Sequence, residues 1–376
     1  MDRKKMISFP FKFGLKSCLG IDIGTSGVKI VQLAMRGERI TLEKYGEIAA
    51  QVFYEESHRT FEKSTLLLST QDIARAILAI CQEAKITERR AFFTIPDFAS
   101  FFTSFDLPPM GREEIPQAVR FEARHHIPLP LAEVTLDWSI IEGEASDHKK
   151  TPLKILLVAV SNDLIDQYSQ IVTLSGLELK GLEVEAFGLV RALIGEEKRV
   201  VAILDIGARS TTVNIVDQGI LKVSHSFDVA GNEMTQVLSK ALDIDFFEGE
   251  NLKKVHGLKY FLSDQEMGEE AGETKLIIKK VGEILIPLVD LILAELERTS
   301  QNFYQIKGKK IEKVILAGGS ALLPGLKEYF IKVLKKDVEI ANPFANIFYP
   351  PILESTLKEM GPSYAIAVGA ALRSIE

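Results

Sequence analysis

Residues 19–30 read LGIDIGTSGVKI, and the rest of the chain is organised around this stretch. A short apolar run delivers Asp22, followed by Gly24, the hydroxyl residues Thr25 and Ser26, and Gly27. The chain then returns through a second apolar run, Val28–Leu33, which carries Lys29. Glycines at such a turn permit positive φ and let backbone N–H groups approach an anion closely. Asp22, ending the first strand, would face that anion and could hold a hydrated divalent metal. Lys29 could reach phosphates as a point charge. Glycine-rich hairpins are common, so this stretch alone leaves phosphate binding and an ordinary turn both open.

The pattern recurs at Ala202–Val216, AILDIGARSTTVNIV, where another apolar run delivers Asp205, Gly207, Ser210 and Thr211 before returning. The sequels match as well. The first copy continues into ITLEKYGEIA after Arg36–Glu38, and the second into ILKVSHSFDVA after Asp217–Gly219. Strand, glycine hairpin, strand, turn, strand, twice in one chain, predicts two similar halves. Two Asp-Ile-Gly hairpins can clamp one phosphate chain and one metal from opposite sides. A third element, Val314–Gly325, VILAGGSALLPG, is a buried strand entering Gly318-Gly319-Ser320, with Pro324 opening a helix. Paired glycines there let a flat ring lie against backbone. The trio resembles, in order, the phosphate-1, phosphate-2 and adenosine motifs of the actin-like ATPase superfamily.

Composition sets the bounds. With 376 residues, 46% apolar and 26% charged, the chain is a globular protein of two or three domains. A net charge of −7 gives no reason to expect nucleic acid as a partner. Cys18 and Cys81 are too few and too far apart for a disulfide framework or a metal knuckle, which points to a reducing cytoplasm. The most apolar helical stretch, Ile284–Leu296, is interrupted by Pro287, Asp290 and Glu295, so no membrane span is expected. The start, MDRKKMISFPFKFGLK, lacks the continuous apolar core of a signal peptide. It reads as a frayed terminus, or as a segment that brushes an anionic membrane surface.

Along the chain, Ser69–Glu83 reads as an amphipathic helix with Thr70 as a possible cap, and Ala91–Ile95 as a strand. Phe98, Phe101, Phe102 and Phe105 then crowd a short segment. A helix over 111–126, stopped by Ile127-Pro128-Leu129-Pro130, leads to strands at 134–141 and 155–160 around a polar loop, 142–150. Ser161 to Asp163 cap a helix through Leu174. The aromatic cluster is either core or a groove for an extended peptide. His125 and His126 point different ways on a helix and lack a third ligand nearby. Glu183–Leu193 is expected to be helical, with a twin at Ser363–Arg373 whose Ala365, Ala367, Gly369 and Ala370 allow close packing. Helices are expected over 231–242, 246–256 and 276–306, with an acidic loop at 258–275.

Taken together, the chain resembles the PilM family of type IV pilus assembly, relatives of the division protein FtsA. The carrying stretches are LGIDIGTSGVKIVQL, FDLPPM with EEIPQAVRFEARHHIPLPLAEVTLDW, GLEVEAFGLVRAL, LDIGARSTTVNIV, AGNEMT, LAGGSALLPGL and SYAIAVGAAL, spread over nearly the whole sequence. The fold expected is α/β and actin-like, two-lobed with duplicated mixed-sheet halves. Residues 1–90 and 181–200 form the first lobe, with 91–180 as an inserted α+β subdomain. Residues 201–230 and 310–376 form the second lobe, with 231–309 as a mostly helical subdomain.

The resemblance implies ATP with Mg²⁺, the metal held by Asp22 and Asp205 through water. It places the nucleotide on Gly24, Thr25, Ser26, Lys29, Gly207, Ser210, Thr211, Gly318 and Gly319, with Glu233 near ribose or base. Ala208-Arg209 departs from the usual second glycine and small residue. Glu185 is the nearest candidate for a catalytic, water-positioning group, so turnover is expected to be slow or absent. The implied function is a cytoplasmic scaffold at the inner face of the membrane. It would dock the cytoplasmic tail of PilN and couple the pilus motor to the assembly platform. The chain ends at Glu376 without the amphipathic membrane helix of FtsA, which favours PilM. An FtsA-like filament protein and a small-molecule kinase of the same superfamily stay open; sedimentation and coupled turnover with sugars separate them.

Overall fold

The computed structural model describes residues 16–49, 69–143, 151–261 and 272–375. The readings of the N-terminal segment, of most of the 142–150 loop and of most of the acidic 258–275 loop therefore lie outside the described residues. The chain divides into two compact units: residues 1–192, 346–349 and 366–376, and residues 193–345 with 350–365.

The first unit is built on a five-stranded sheet ordered β3-β2-β1-β4-β8. Its strands are β1 (Ser17–Gly24), β2 (Gly27–Arg36), β3 (Arg39–Ala49), β4 (Arg90–Ile95) and β8 (Glu178–Val184). The β1–β2–β3 meander is antiparallel, whereas β4 and β8 join parallel to it. Strand β1 is central and buried along most of its length, so it reads as a continuous apolar run broken by Asp22. Helices α1 (Thr70–Glu83) and α3 (Asn162–Ser175) pack on one another. Ser69, rather than Thr70, caps α1, its hydroxyl accepting from the Asp72 amide.

Within this unit a second, three-stranded antiparallel sheet runs β5-β7-β6, from β5 (Ser100–Leu107), β6 (Val134–Glu142) and β7 (Leu153–Ser161). Helix α2 (Ile115–His126) covers it, and Phe105, Leu107, Ile115, Val119, Ala123, Ile155 and Leu157 share one core. The phenylalanine cluster is thus largely a strand. Phe101 and Phe105 serve this core while Phe102 turns to Phe187, with ring centroids 6.3 Å apart. Apolar residues on both faces remove the alternation that would announce a strand. Glu183 and Val184 belong to β8 rather than to the following helix, α4 (Glu185–Leu193). Helix α4 begins where Asp97 accepts from the Ala186 amide at 3.1 Å. His126 stacks on Phe105, and His125 meets Phe121 edge-on.

The second unit carries a matching five-stranded sheet, β11-β10-β9-β12-β13. It comprises β9 (Val201–Ile206), β10 (Thr211–Asp217), β11 (Ile220–Phe227), β12 (Lys313–Ala317) and β13 (Asp337–Ile340). The pairing repeats the first sheet, antiparallel through β9–β10–β11 and parallel through β9–β12–β13. Helices α5 (Gly231–Leu242), α6 (Phe246–His256), α7 (Gly272–Lys307) and α8 (Leu326–Leu334) complete the unit. Leu204, Val213 and Ile215 of the sheet meet Leu285, Val289 and Ile292 of α7 in its core. The last helix, α9 (Glu354–Leu372), gives its residues 354–365 to this unit and 366–372, with Ala367, Gly369 and Ala370, to the first. A Cβ on Gly369 would stand 2.0 Å from the Gly188 carbonyl oxygen, so the close approach of α9 and α4 requires glycine. Two sheets of the same mixed order make this an actin-like ATPase fold. Among the described residues no helix is long and apolar enough to cross a membrane.

Candidate functional site

In the first unit, β1 and β2 are joined by the two-residue turn Thr25-Ser26, with Gly24 paired to Gly27. A Cβ on Gly27 would lie 2.3 Å from the Ile48 carbonyl oxygen, so β3 packs against bare backbone. Asp22 is 3% exposed and faces Lys29 across the hairpin. Burial pushes its carboxyl above the usual carboxylate range, partly offset by Lys29 and by the Thr94 hydroxyl, 3.5 Å from Oδ1. A carboxylate in that setting gains from a nearby cation.

Tyr168 donates its hydroxyl to the Thr94 carbonyl at 2.7 Å. Its phenol is pushed well up by burial, then by the charges of Glu185 and Asp22. Glu185 is committed to local structure: its Oε2 accepts from the Asp97 amide at 3.3 Å while Asp97 caps α4 in return. The reciprocal arrangement satisfies helix-start donors.

In the second unit, Asp205 ends β9 opposite Thr212 and beside Ala317 of β12, and is 9% exposed. The Gly207 amide donates to the Ser210 carbonyl at 3.0 Å and closes the hairpin. Gly207 and Ala208 turn their carbonyls to the start of α5, accepting from Gly231 at 3.0 Å and Asn232 at 2.7 Å. Thr211 is fully buried and gives its hydroxyl proton to the Val229 carbonyl at 2.6 Å. Arg209 is drawn down by burial and supported by Asp228.

Gly318 has φ +86°, and a Cβ there would fall 2.5 Å from both Asp205 Oδ1 and the Ile206 carbonyl. Gly319, by contrast, has open space around its Cβ position. Asp205, Gly207, Ser210 and Gly318 therefore form one glycine-lined group, with Glu233 in the first turn of α5 next to it.

One part of this group escaped the sequence reading. Lys253 of α6 is 4% exposed, and its ammonium donates to Gly231 O at 2.8 Å and Thr235 Oγ1 at 2.7 Å. It also pairs with Glu250 Oε2 at 2.6 Å. The three donors of the ammonium thus meet three acceptors. Burial lowers the Lys253 ammonium, and Glu250 opposes that shift. The available signal was Gly249 within the helix, whose missing Cβ, which would stand 2.2 Å from Ser239 Oγ, lets α6 lie close to α5.

Among the described residues no three His, Cys, Asp or Glu side chains converge as a metal cluster. What each hairpin offers is a single buried carboxylate, hydroxyls and glycine backbone. That donor set fits a phosphate chain and a cation that keeps most of its own water, since Mg²⁺ dehydrates reluctantly. A family model described as type IV pilus assembly protein PilM matches residues 20–375. The structure of a PilM–PilN type IV pilus biogenesis complex superposes with a TM-score of 0.80 at 22% identity, covering 96% of this chain and 99% of that one. The ethanolamine utilization protein EutJ of Carboxydothermus hydrogenoformans gives a TM-score of 0.54 at 15% identity, covering 97% and 92%.

Cell division protein FtsA of Bacillus subtilis is 21% identical over 352 residues, covering 86% of this chain and 78% of its own length. FtsA of Rhizobium meliloti is 26% identical over 198 residues, 49% of this chain. The chain spans about half the length of the first curated relatives it matches, 42% and 52% for the Rhizobium and Agrobacterium fabrum proteins.

Proposed function

The chain belongs to the PilM family of type IV pilus assembly proteins, and from that premise we propose that it is an ATP-binding scaffold. It docks the cytoplasmic N-terminal tail of a PilN-like membrane protein at the inner face of the membrane. Through that tail it couples the assembly platform to the pilus motor. The observation that carries the reading is the repeated hairpin: in each sheet, the central strand ends in a buried aspartate beside a glycine turn.

Asp22 and Asp205 would hold Mg²⁺ through its waters, and the metal would neutralise the phosphate chain. Gly24, Thr25 and Ser26 offer backbone amides and hydroxyls to phosphate oxygens, and Lys29 adds a positive charge. Gly207 and Ser210 do the same from the second hairpin. Thr211 follows in the same hairpin, its hydroxyl donating to the Val229 carbonyl. Gly318 and Gly319 give a base a flat backbone to lie on, and Glu233 in the first turn of α5 reaches for ribose or base. Glu185 spends one carboxylate oxygen on the Asp97 amide, which supports slow turnover.

The partner is placed on the three-stranded sheet and its helix. Its edge strand β5 leaves Phe101 and Phe102 only half-buried, and α2 exposes Phe121. An extended tail adds to such an edge through main-chain hydrogen bonds, with side chains in alternate pockets. The test is hydrogen exchange with and without a peptide of the PilN tail. Protection within 91–180 is expected, and protection confined to 200–330 would exclude the placement. The FtsA likeness favours, as a second reading, a filament-forming protein; sedimentation in Mg²⁺-ATP separates the two.

A further inference from the structure

Asn214, in the middle of β10, is fully buried, and neither its Oδ1 nor its Nδ2 has a hydrogen-bond partner among the described residues. A buried amide without a protein partner lowers stability and is usually served by internal water. Its place in the sheet gives that water a direction. Asn214 lies opposite Ile203 of β9 and Ser224 of β11, on the sheet face it shares with Thr212. One pleat nearer the hairpin, Thr212 stands between Asp205 and Ser226, and its hydroxyl is 2.9 Å from that of Ser226.

This face therefore carries a polar row, Asp205–Thr212–Ser226, with Asn214 and Ser224 directly behind it. The other face is apolar, with Leu204, Val213 and Ile215 in the core. Asn214 and Asp205 are diagonal neighbours on paired strands, about 7 Å apart at the backbone. Two polar side chains at that separation are readily joined by one water.

We infer that Asn214 holds an internal water behind Asp205 and through it orients the Asp205 carboxylate. That makes Asn214 a positioning residue for the hydrated cation. The inference rests on the reading that Asp205 serves a metal–nucleotide site. Groups that orient a metal-binding carboxylate from behind commonly change metal affinity by about tenfold or more when removed.

The test compares wild type, Asn214→Leu, which keeps the shape without polar atoms, and Asn214→Ser, which keeps a hydroxyl and leaves room for water. ATP binding is titrated calorimetrically at a series of Mg²⁺ concentrations, alongside urea unfolding and a crystal structure of the wild type. Expected are an ordered water on the Asn214 amide and a half-saturating Mg²⁺ concentration raised about tenfold in Asn214→Leu. The Leu variant should have an unchanged or higher urea midpoint, and the Ser variant wild-type Mg²⁺ dependence. An Asn214 amide surrounded only by carbon, or a Leu variant with wild-type Mg²⁺ dependence, overturns the inference while leaving the nucleotide reading intact. Wild-type ATP binding that ignores Mg²⁺ overturns both.

Discussion

Lys253 places its ammonium 2.8 Å from the carbonyl oxygen of Gly231, whose own amide donates to Gly207 in the second hairpin. One residue thus links helix α6 to the turn that follows Asp205. A Cβ at Gly231 would be 2.6 Å from Ser320 Oγ and 3.2 Å from Gly207 O, so the link has no room for a side chain.

Replacing Lys253 by Met should leave the half-buried Glu250 with Lys254 alone, whose ammonium is 3.2 Å from Oε1. Breaking a buried pair by removing one partner typically costs ~3–5 kcal/mol, and the remaining Lys254 contact should keep the loss below that range. The double variant Lys253→Met/Glu250→Met should recover part of that loss, because it removes the carboxylate together with its buried partner. Urea unfolding of the three proteins measures this, and a single variant as stable as wild type would show the pair to be dispensable.

Gly318→Ala and Gly219→Ala separate conformational strain from steric exclusion. Both glycines have positive φ, +86° and +77°, but only Gly318 has atoms at its Cβ position. Gly219→Ala should cost about 1 kcal/mol, the scale of a residue forced into the left-handed region. Gly318→Ala should be clearly worse and should also displace Asp205. Equal thermal shifts for the two would contradict the crowding at Gly318.

Glu88 and Glu197 predict an acid-labile pair of strand entries. Each carboxylate accepts from the next two backbone amides and from an arginine two residues on, Arg90 or Arg199. For Glu88 the arginine contact comes first, and the carboxyl is held at about 2 rather than 4.5. A depressed carboxyl contributes stability that is fully present above pH 4.5 and is lost as pH falls towards 2. Glu88→Gln should therefore be less stable than wild type at pH 6, by roughly 1 kcal/mol, and should converge with it near pH 2. Parallel stability curves across that range would rule out the contribution.

Turnover by the purified chain should be slow, because Glu185 is held by the Asp97 amide. Phosphate release on the order of ten per second, ordinary for an enzyme, would mean that another group activates water.

What the sequence made legible follows from local chemistry. Both hairpins were visible because a buried strand ending in Asp-Ile-Gly and doubling back has few other readings, and its repetition implied the two sheets. Close packing of α9 was visible in Ala365, Ala367, Gly369 and Ala370, whereas its partner Gly188 in α4 was not. Strand β5 was hidden because Phe101 and Phe102 face opposite ways and both are used. Strand β8, ELKGLEV, begins too polar to look like a parallel strand, and its two last residues resemble a helix start.

The roles of Lys253 and Asn214 were illegible for a different reason. A lysine or an asparagine is by default a surface residue, and only tertiary packing takes either out of water. The Gly231 carbonyl that Lys253 reaches lies 22 residues away, and the strands that enclose Asn214 are set only by sheet pairing. Neither distance leaves a pattern in a single sequence.

The most direct measurement of the central claim is calorimetric titration of Mg²⁺-ATP into the wild-type chain and into Asp205→Ala. Binding by the wild type should need the divalent cation, and Asp205→Ala should bind about tenfold or more weakly. Binding by Asp205→Ala with wild-type affinity and the same Mg²⁺ dependence would contradict that claim.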